Sequence, residues 1–278
     1  MQYLIHRPGP PVSRYVDHLW FFEGYMPAHA REKLLPNGVM ELVIDLHDGP
    51  KRLFNQGERR LDQDCRGAWL SGMQTDFLVV EVARGSSLMG AHFRTLGARA
   101  FFRLPMEEVA SKVVNLDDIV GQHARELRER LLESPTPEAK LQTLERFLAL
   151  RLNGWDGDSR RSECLVGHVI ERLRRPDGPL SIERLAAEAG VTRRHLVRLF
   201  RNQVGLAPKA LARVLRFQTV IETVEARGPD AIRWTDLAYN CGYYDQAHFV
   251  QEFRAFAGIS PSGYLIQRGD YLNWIVVD

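Results

Sequence analysis

The spacing of apolar positions changes character along this 278-residue chain. Up to about residue 95 it alternates. Over residues 39–47, Met40, Leu42, Ile44 and Leu46 fall on one side and Glu41, Val43, Asp45 and His47 on the other, the two-residue period of a half-buried strand. Residues 77–83 and 87–94 are also strand-like, separated by Arg84, Gly85 and Ser86. Short strands with Gly, Pro and Asn turns predict a small barrel or sandwich. The period then lengthens, predicting helices over 96–102, 117–133 and 136–152. Two apolar stripes, Val120, Ala124, Leu127 and Leu131, then Leu141, Leu144 and Leu148, suit packing on the barrel or a helix-pair dimer interface. Residues 153–159 break helices and carry no apolar face, which makes them the best domain boundary and a candidate coupling segment.

From residue 160 onward every segment is helical in pattern. A lead-in helix over 162–175 is stopped by Pro176, Asp177, Gly178 and Pro179. Ser181 caps the next, whose Ile182, Leu185, Ala186 and Ala189 recur at helical spacing. Gly190 suits a left-handed turn and Thr192 caps the following helix. There Leu196, Leu199, Phe200 and Val204 form a core stripe, leaving Arg193, Arg194, Val197, Arg198 and Arg201 on the opposite face. Pro208 starts a long helix to Arg227, about 28 Å at 1.5 Å per residue.

The pattern then repeats. Leu185, Ala186, Gly190, His195, Val197, Phe200, Arg201, Gly205 and Pro208 recur as Leu237, Ala238, Gly242, His248, Val250, Phe253, Arg254, Gly258 and Pro261, with one residue inserted after the turn glycine. Each copy is a short helix, a glycine turn and a second helix, the unit that places its second helix in a DNA major groove. In the second copy Asp245 caps, Phe249, Phe253 and Phe256 face inward, and Gln246, Ala247, Val250, Gln251 and Arg254 face outward. His195 and His248 sit beside core positions and are assigned to packing or backbone bonding rather than to base contact. Successive major-groove faces on one side of a duplex lie about 34 Å apart, so the connecting helix has the length to hold two reading heads one turn apart.

Charge sharpens this. From Arg160 to the end there are 17 Lys/Arg against 13 Asp/Glu, a net of +4, whereas the rest carries −2. Residues 191–217 hold Arg193, Arg194, Arg198, Arg201, Lys209, Arg213 and Arg216 with no acid. An acid-free basic window on a repeat of this kind points to phosphate and base contacts. The second copy is electrostatically poorer: residues 234–264 hold Asp236, Asp245 and Glu252 against Arg254 alone.

Over residues 163–264 the chain resembles the DNA-binding domain of the AraC/XylS family of transcription regulators. The run Gly242, Tyr243, Tyr244, Asp245, Gln246, Ala247, His248, Phe249, then Phe253, Arg254 and Gly258, Ile259, Ser260, Pro261, carries the likeness. The resemblance implies two helix-turn-helix motifs contacting adjacent major grooves. It places base contacts at Arg194, Val197 and Arg198 in the first copy and at Gln246, Ala247, Val250 and Gln251 in the second. Arginine can bond guanine and glutamine adenine in a bidentate manner, while Ala247 and the valines can only touch thymine methyls or set clearance. Leu35, Pro36, Asn37, Gly38 with Glu41, Leu42, Val43, and Gly90, Ala91, His92, Phe93, Arg94, resemble an uncharacterised N-terminal domain found in part of the family.

The expected fold class is therefore α+β: a small β-barrel or cupin-like domain with trailing helices, then an all-α domain of two helix-turn-helix motifs joined by a long helix. Expected domains are a sensor or dimerisation unit at 1–155 (β-rich to about 95, helical over 96–152), the DNA-binding unit at 160–265 and a tail at 266–278. Trp20, Glu23, Asp45, His47, Glu81, His92 and Arg94 are candidates to line a ligand pocket, with solvated strand faces as the plain alternative. The His-x-His plus Glu spacing of metal-binding cupins is missing, so neither metal nor cofactor is expected. Cys65, Cys164 and Cys241 are scattered, which suits free thiols in a reducing compartment. With no targeting or membrane-spanning segment, the expected location is the cytoplasm. No G-x-S-x-G, phosphate-cradling glycine loop or HExxH is present, so an enzyme is not expected. The reading is a regulator whose partners are double-stranded DNA, RNA polymerase, a small-molecule effector of unknown identity and a second copy through the N-terminal domain. A ligand-binding or enzymatic N-terminal domain, with the helix-turn-helix unit secondary, is the alternative.

Overall fold

The computed structural model describes the chain except residues 48, 50, 55–60, 156–159, 175–180, 229–231, 270–272 and 278. The coupling segment expected at 153–159 and the helix stop at 176–179 thus lie largely or wholly outside the described residues.

Eleven strands are described: β1 (Gln2–His6), β2 (Val16–Tyr25), β3 (Arg31–Leu34), β4 (Glu41–Asp45), β5 (Lys51–Phe54), β6 (Leu61–Cys65), β7 (Ala68–Ser71), β8 (Leu78–Glu81), β9 (Ser86–Phe93), β10 (Val113–Asn115) and β11 (Trp274–Val277). Neighbouring strands run antiparallel in two sheets, ordered β1-β2-β9-β4-β7-β10 and β11-β3-β8-β5-β6. The expected barrel does not close. Each sheet keeps two edges, and among the described residues no strand pairing joins the sheets. Alternation reveals that a strand has a wet and a dry face, but closure depends on which end strands pair, and that leaves no local mark.

The first sheet is covered on both sides. Leu19, Phe21, Leu42, Ile44, Leu70, Met89, Ala91 and Phe93 are buried in the main core, on the alternation expected for β4. The other face presents Val43, Trp69, Leu88 and Val113, which cluster with Leu53, Cys65, Leu78 and Val80. The second sheet therefore lies over that face.

Helices follow as α1 (Ala98–Phe102), α2 (Leu116–Val120), α3 (Gln122–Glu133) and α4 (Pro137–Leu152). The single helix expected over 117–133 is two, because Gly121 takes φ 62° and ψ −140°, outside the helical region. Leu127, Leu131, Leu141, Leu144 and Leu148 are fully buried in the main core, and α4 packs on α1 and β2. Those stripes are used within the chain, which removes them from any helix-pair interface.

The C-terminal part comprises α5 (Arg160–Arg174), α6 (Ile182–Glu188), α7 (Arg193–Val204), α8 (Pro208–Arg227), α9 (Trp234–Asn240), α10 (Gln246–Ala257) and α11 (Pro261–Gln267). It does not end in a tail. Trp274–Val277 pairs with β3 in the register Trp274 opposite Leu34 and Val277 opposite Arg31, which buries Ile275 completely. Four residues were too few to show a period. The two halves share one continuous apolar core. They are also bonded: Gln218 on α8 donates to the Pro36 carbonyl and, at 2.8 Å, to Oδ1 of Asn273, and Arg99 donates to the Asn202 carbonyl at 3.0 Å.

Candidate nucleic-acid interface

The first reading head is built by capping and burial. The Ser181 hydroxyl accepts from the Arg184 amide at 3.2 Å, and the Thr192 hydroxyl accepts from the His195 amide at 3.2 Å, fixing where α6 and α7 begin. Gly190 between them takes φ 68° with open space around it, so the turn is what requires a glycine. Leu196, Phe200 and Val204 are fully buried. That orients Arg193, Arg194, Arg198 and Arg201 outward, all exposed, with Val197 half-buried among them. Arg193 pairs with Glu183 at 3.1 Å and Arg198 lies 3.0 Å from Nδ1 of His195, so these two long side chains are held rather than loose.

Equivalent positions build the second head. Oδ1 of Asp245 accepts from the His248 amide at 2.7 Å, one residue further beyond its turn glycine than Thr192 is beyond Gly190. The inserted residue lengthens the turn and leaves the cap in the same role. Phe249, Phe253 and Phe256 are buried, and Phe217 of α8 meets Phe253 edge-on at 5.3 Å and stacks on Phe256 at 5.0 Å. Gln246, Ala247, Gln251 and Arg254 are exposed, and with Val250 and Asp245 they line one shallow depression of about 750 Å³. The two heads are connected by α8, whose 20 residues make a rod about 30 Å long.

The basic window is less uniform than its sequence. Arg213 turns inward, with Nε 2.6 Å from Oε1 of Glu252 and its guanidinium 5.2 Å from the Phe256 ring centre. Arg216 donates to the Gly242 carbonyl at 3.0 Å and covers the Tyr243 ring at 4.9 Å. Both hold α10 against α8. Sequence reading missed this network, because Glu252 meets these arginines only once α10 is docked. His248 also joins it, 3.7 Å from Glu252, in line with a packing role.

Residues 185–267 match the family described as Helix-turn-helix domain. The C-terminal domain is of the AraC/XylS type. Among curated relatives, the HTH-type transcriptional regulator MtrA of Neisseria gonorrhoeae is 29% identical over 119 residues, covering 42% of this chain and 36% of that protein. The chain thus matches about a third of that relative's length. The HTH-type transcriptional activator AarP of Providencia stuartii is 28% identical over 120 residues, covering 42% of this chain and 82% of its own. A crystal structure of ToxT from Vibrio cholerae O395 aligns over 88% of this chain and 97% of its own, with 12% identity and a TM-score of 0.47. Residues 5–115, ahead of the AraC/XylS-type domain, match a Domain of unknown function (DUF6597).

In that N-terminal domain the seven ligand candidates do not converge on one site. Trp20 and His92 share a face of the first sheet, where Trp20 Nε1 donates to Oε1 of Glu41 at 2.9 Å and His92 Nδ1 lies 3.7 Å from the same oxygen. His18 stacks on His92 at 4.8 Å, and Asp17 links the group to Arg94 at 3.7 Å. A Cβ on Gly90 would lie 2.1 Å from the Leu42 carbonyl oxygen and 2.8 Å from the Trp20 ring, so the neighbouring strand and the indole together require a glycine there. Burial pulls the His92 pKa down, but bonding and attraction by the Glu41 carboxylate and attraction by Asp17 outweigh it, for a net rise. Glu23 falls on the opposite face by strand alternation. Asp45 is buried and bonded to the His47 amide at 2.9 Å, while the His47 side chain is exposed. Glu81 belongs to the second sheet, 3.6 Å from Arg52. Alternation over β2 and β9 was the signal that could have added His18 to Trp20 and His92.

Cys65 is buried, and burial with a repulsive Asp64 pushes its thiol up to about 12, so it stays protonated near neutrality. No group of three His, Cys, Asp or Glu side chains among the described residues has metal-binding geometry, and no described helix is long and apolar enough to cross a membrane.

Proposed function

We propose that the protein is a sequence-specific DNA-binding transcription regulator that reads two adjacent major grooves, α7 in one and α10 in the next. The observation that carries this is the pairing of two capped, outward-facing helices, one arginine-rich and one glutamine-rich, in two units connected by a 20-residue helix. Arg194, Val197 and Arg198, then Gln246, Ala247, Val250 and Gln251, are the base-reading residues in this reading; Arg193, Arg201 and Arg254 supply phosphate contacts. Unit boundaries at 1–155 and 160–265 go with it, the first unit controlling the second through a ligand or a second copy. RNA polymerase is the further partner, and the cytoplasm the place of action.

The test is selection of a duplex from a random pool by the full chain, followed by footprinting. Two protected patches centred about 10 bp apart are expected. A single patch, or retention that does not weaken with salt, would refute the two-groove reading.

A further inference from the structure

Trp274 and Val276 lie on the face of the second sheet that looks toward the first, in register with Leu34 and Glu32 of β3. There they close a cavity of about 200 Å³, walled also by Tyr25 at the end of β2, by His29 from the β2–β3 connection and by Arg268 at the end of α11. The site is incomplete without the strand that follows the DNA-binding domain.

Its floor is a carboxylate. Glu32 is 2% exposed. Oε1 accepts from the Tyr25 hydroxyl at 2.6 Å and from Nε2 of His29 at 2.7 Å, whereas Oε2 has no hydrogen-bond partner among the described residues. A buried carboxylate left half-bonded is costly, so the oxygen calls for a donor, and a charged donor most of all. The basic neighbours are directed elsewhere. Arg268 bonds Glu225 at 2.9 Å, and Arg31 and Lys33 fall on the opposite face of β3, over the Phe54 and Phe77 rings.

We propose that this cavity binds a small organic cation with N–H donors, an alkylamine or a guanidine. The cation bonds Oε2 of Glu32 and lies against the Tyr25 and Trp274 rings, whose faces attract positive charge. At this volume it holds far fewer atoms than the ~300 Å³ at which drug-sized sites begin. Occupancy ties β11 to β3. That this ligand controls DNA binding rests on the proposed regulator function; binding itself does not.

The experiment is calorimetric titration of the full chain with methylguanidinium and propylammonium chlorides, with 1-propanol and sodium acetate as neutral and anionic controls at matched ionic strength. Saturable one-site binding of at least one cation is expected, with neither control bound, and weakening by about tenfold or more in Glu32→Gln. Should Glu32→Gln not fold, preference for propylammonium over propanol, of like size and shape, decides in the native chain. The proposal is overturned if neither cation saturates up to roughly 20 mM, if propanol or acetate binds as tightly, or if Glu32→Gln binds unchanged. A chain that takes the cation but no DNA would refute the proposed function and leave this site standing; one that takes DNA but no cation would do the converse.

Discussion

A Cβ placed on Gly258 would lie 2.7 Å from Cε1 of Phe77, so the glycine that ends the second reading helix is pressed against the N-terminal domain. Gly205, its counterpart at the end of the first, would meet the Met106 carbonyl at 2.9 Å. Both glycines also have positive φ, 71° and 95°. The repeat therefore uses glycine twice over, as a left-handed cap and as a point of close contact with the N-terminal half. Gly258→Ala should lose about 1–2 kcal/mol to the backbone alone, plus a steric part owed to Phe77. Denaturation of Gly258→Ala, Phe77→Ala and the double mutant checks this: the double should lose less than the two singles added, by more than about 0.5 kcal/mol. Strict additivity would mean that the two residues do not touch in solution.

The Trp20–Glu41–His92 group makes stability depend on pH. The folded state holds His92 protonated to a higher pH than the free side chain's 6.5. Its contribution is thus complete below the unfolded value and is lost as pH rises through the raised folded value. Asp17 is shifted the other way, mainly by its bond from His18, and its contribution falls away only in acid, below the range where His92 titrates. Glu41→Gln keeps an oxygen for the Trp20 indole and removes the charge facing His92. Urea midpoints measured on either side of neutrality should differ less in that variant than in the parent, and an unchanged difference would assign the effect to another group.

The helical half was legible because its signals are local. Caps at Ser181, Thr192 and Asp245, turn glycines at 190 and 242, and the aromatic stripe of Phe249, Phe253 and Phe256 all declare themselves within a few residues, and all take the expected places. The sheet half was legible only strand by strand. The faces of β4 could be told from alternation, yet the partners of β4 lie about 30 and 50 residues away in β7 and β9, and nothing in the chain marks them. The Glu32 cavity was beyond reach for the same reason, since it joins residue 25 to residue 276. Arg213 and Arg216 were misjudged because charge alone does not say whether a guanidinium meets solvent or a buried glutamate.

The added strand gives a prediction that a free tail would not. Ile275 has no exposed surface and belongs to the main apolar core, on a strand that contacts both β3 and α11. Ile275→Ala should destabilise the chain by about 2–5 kcal/mol, the usual cost of truncating a buried aliphatic. Equilibrium denaturation provides the measure. A loss below about 0.5 kcal/mol, typical of a surface site, would show that residues 274–277 do not pair with β3 in solution.

The two kinds of arginine should separate in a salt titration of operator binding. Arg198, exposed on the outward face of α7, is a base-reading residue in the proposed function; its replacement by Ala should lose about 1–3 kcal/mol, concentrated at one base position. Gln251→Ala should cost less, because residues 234–264 carry Arg254 as their one arginine and the proposed reading gives the second head the weaker grip. Arg201→Ala should weaken all sequences alike and reduce the salt slope by about 1. Arg213→Gln should leave that slope unchanged, since its guanidinium faces Glu252 at 2.6 Å rather than the duplex, but should lower stability by loosening α10 from α8. Because Glu252 is nearly buried and Arg213 only partly so, the loss is put at about 1–2 kcal/mol rather than the larger figure for a fully buried pair. A slope that falls in Arg213→Gln as it does in Arg201→Ala would place both side chains on phosphate and undo the division drawn between them.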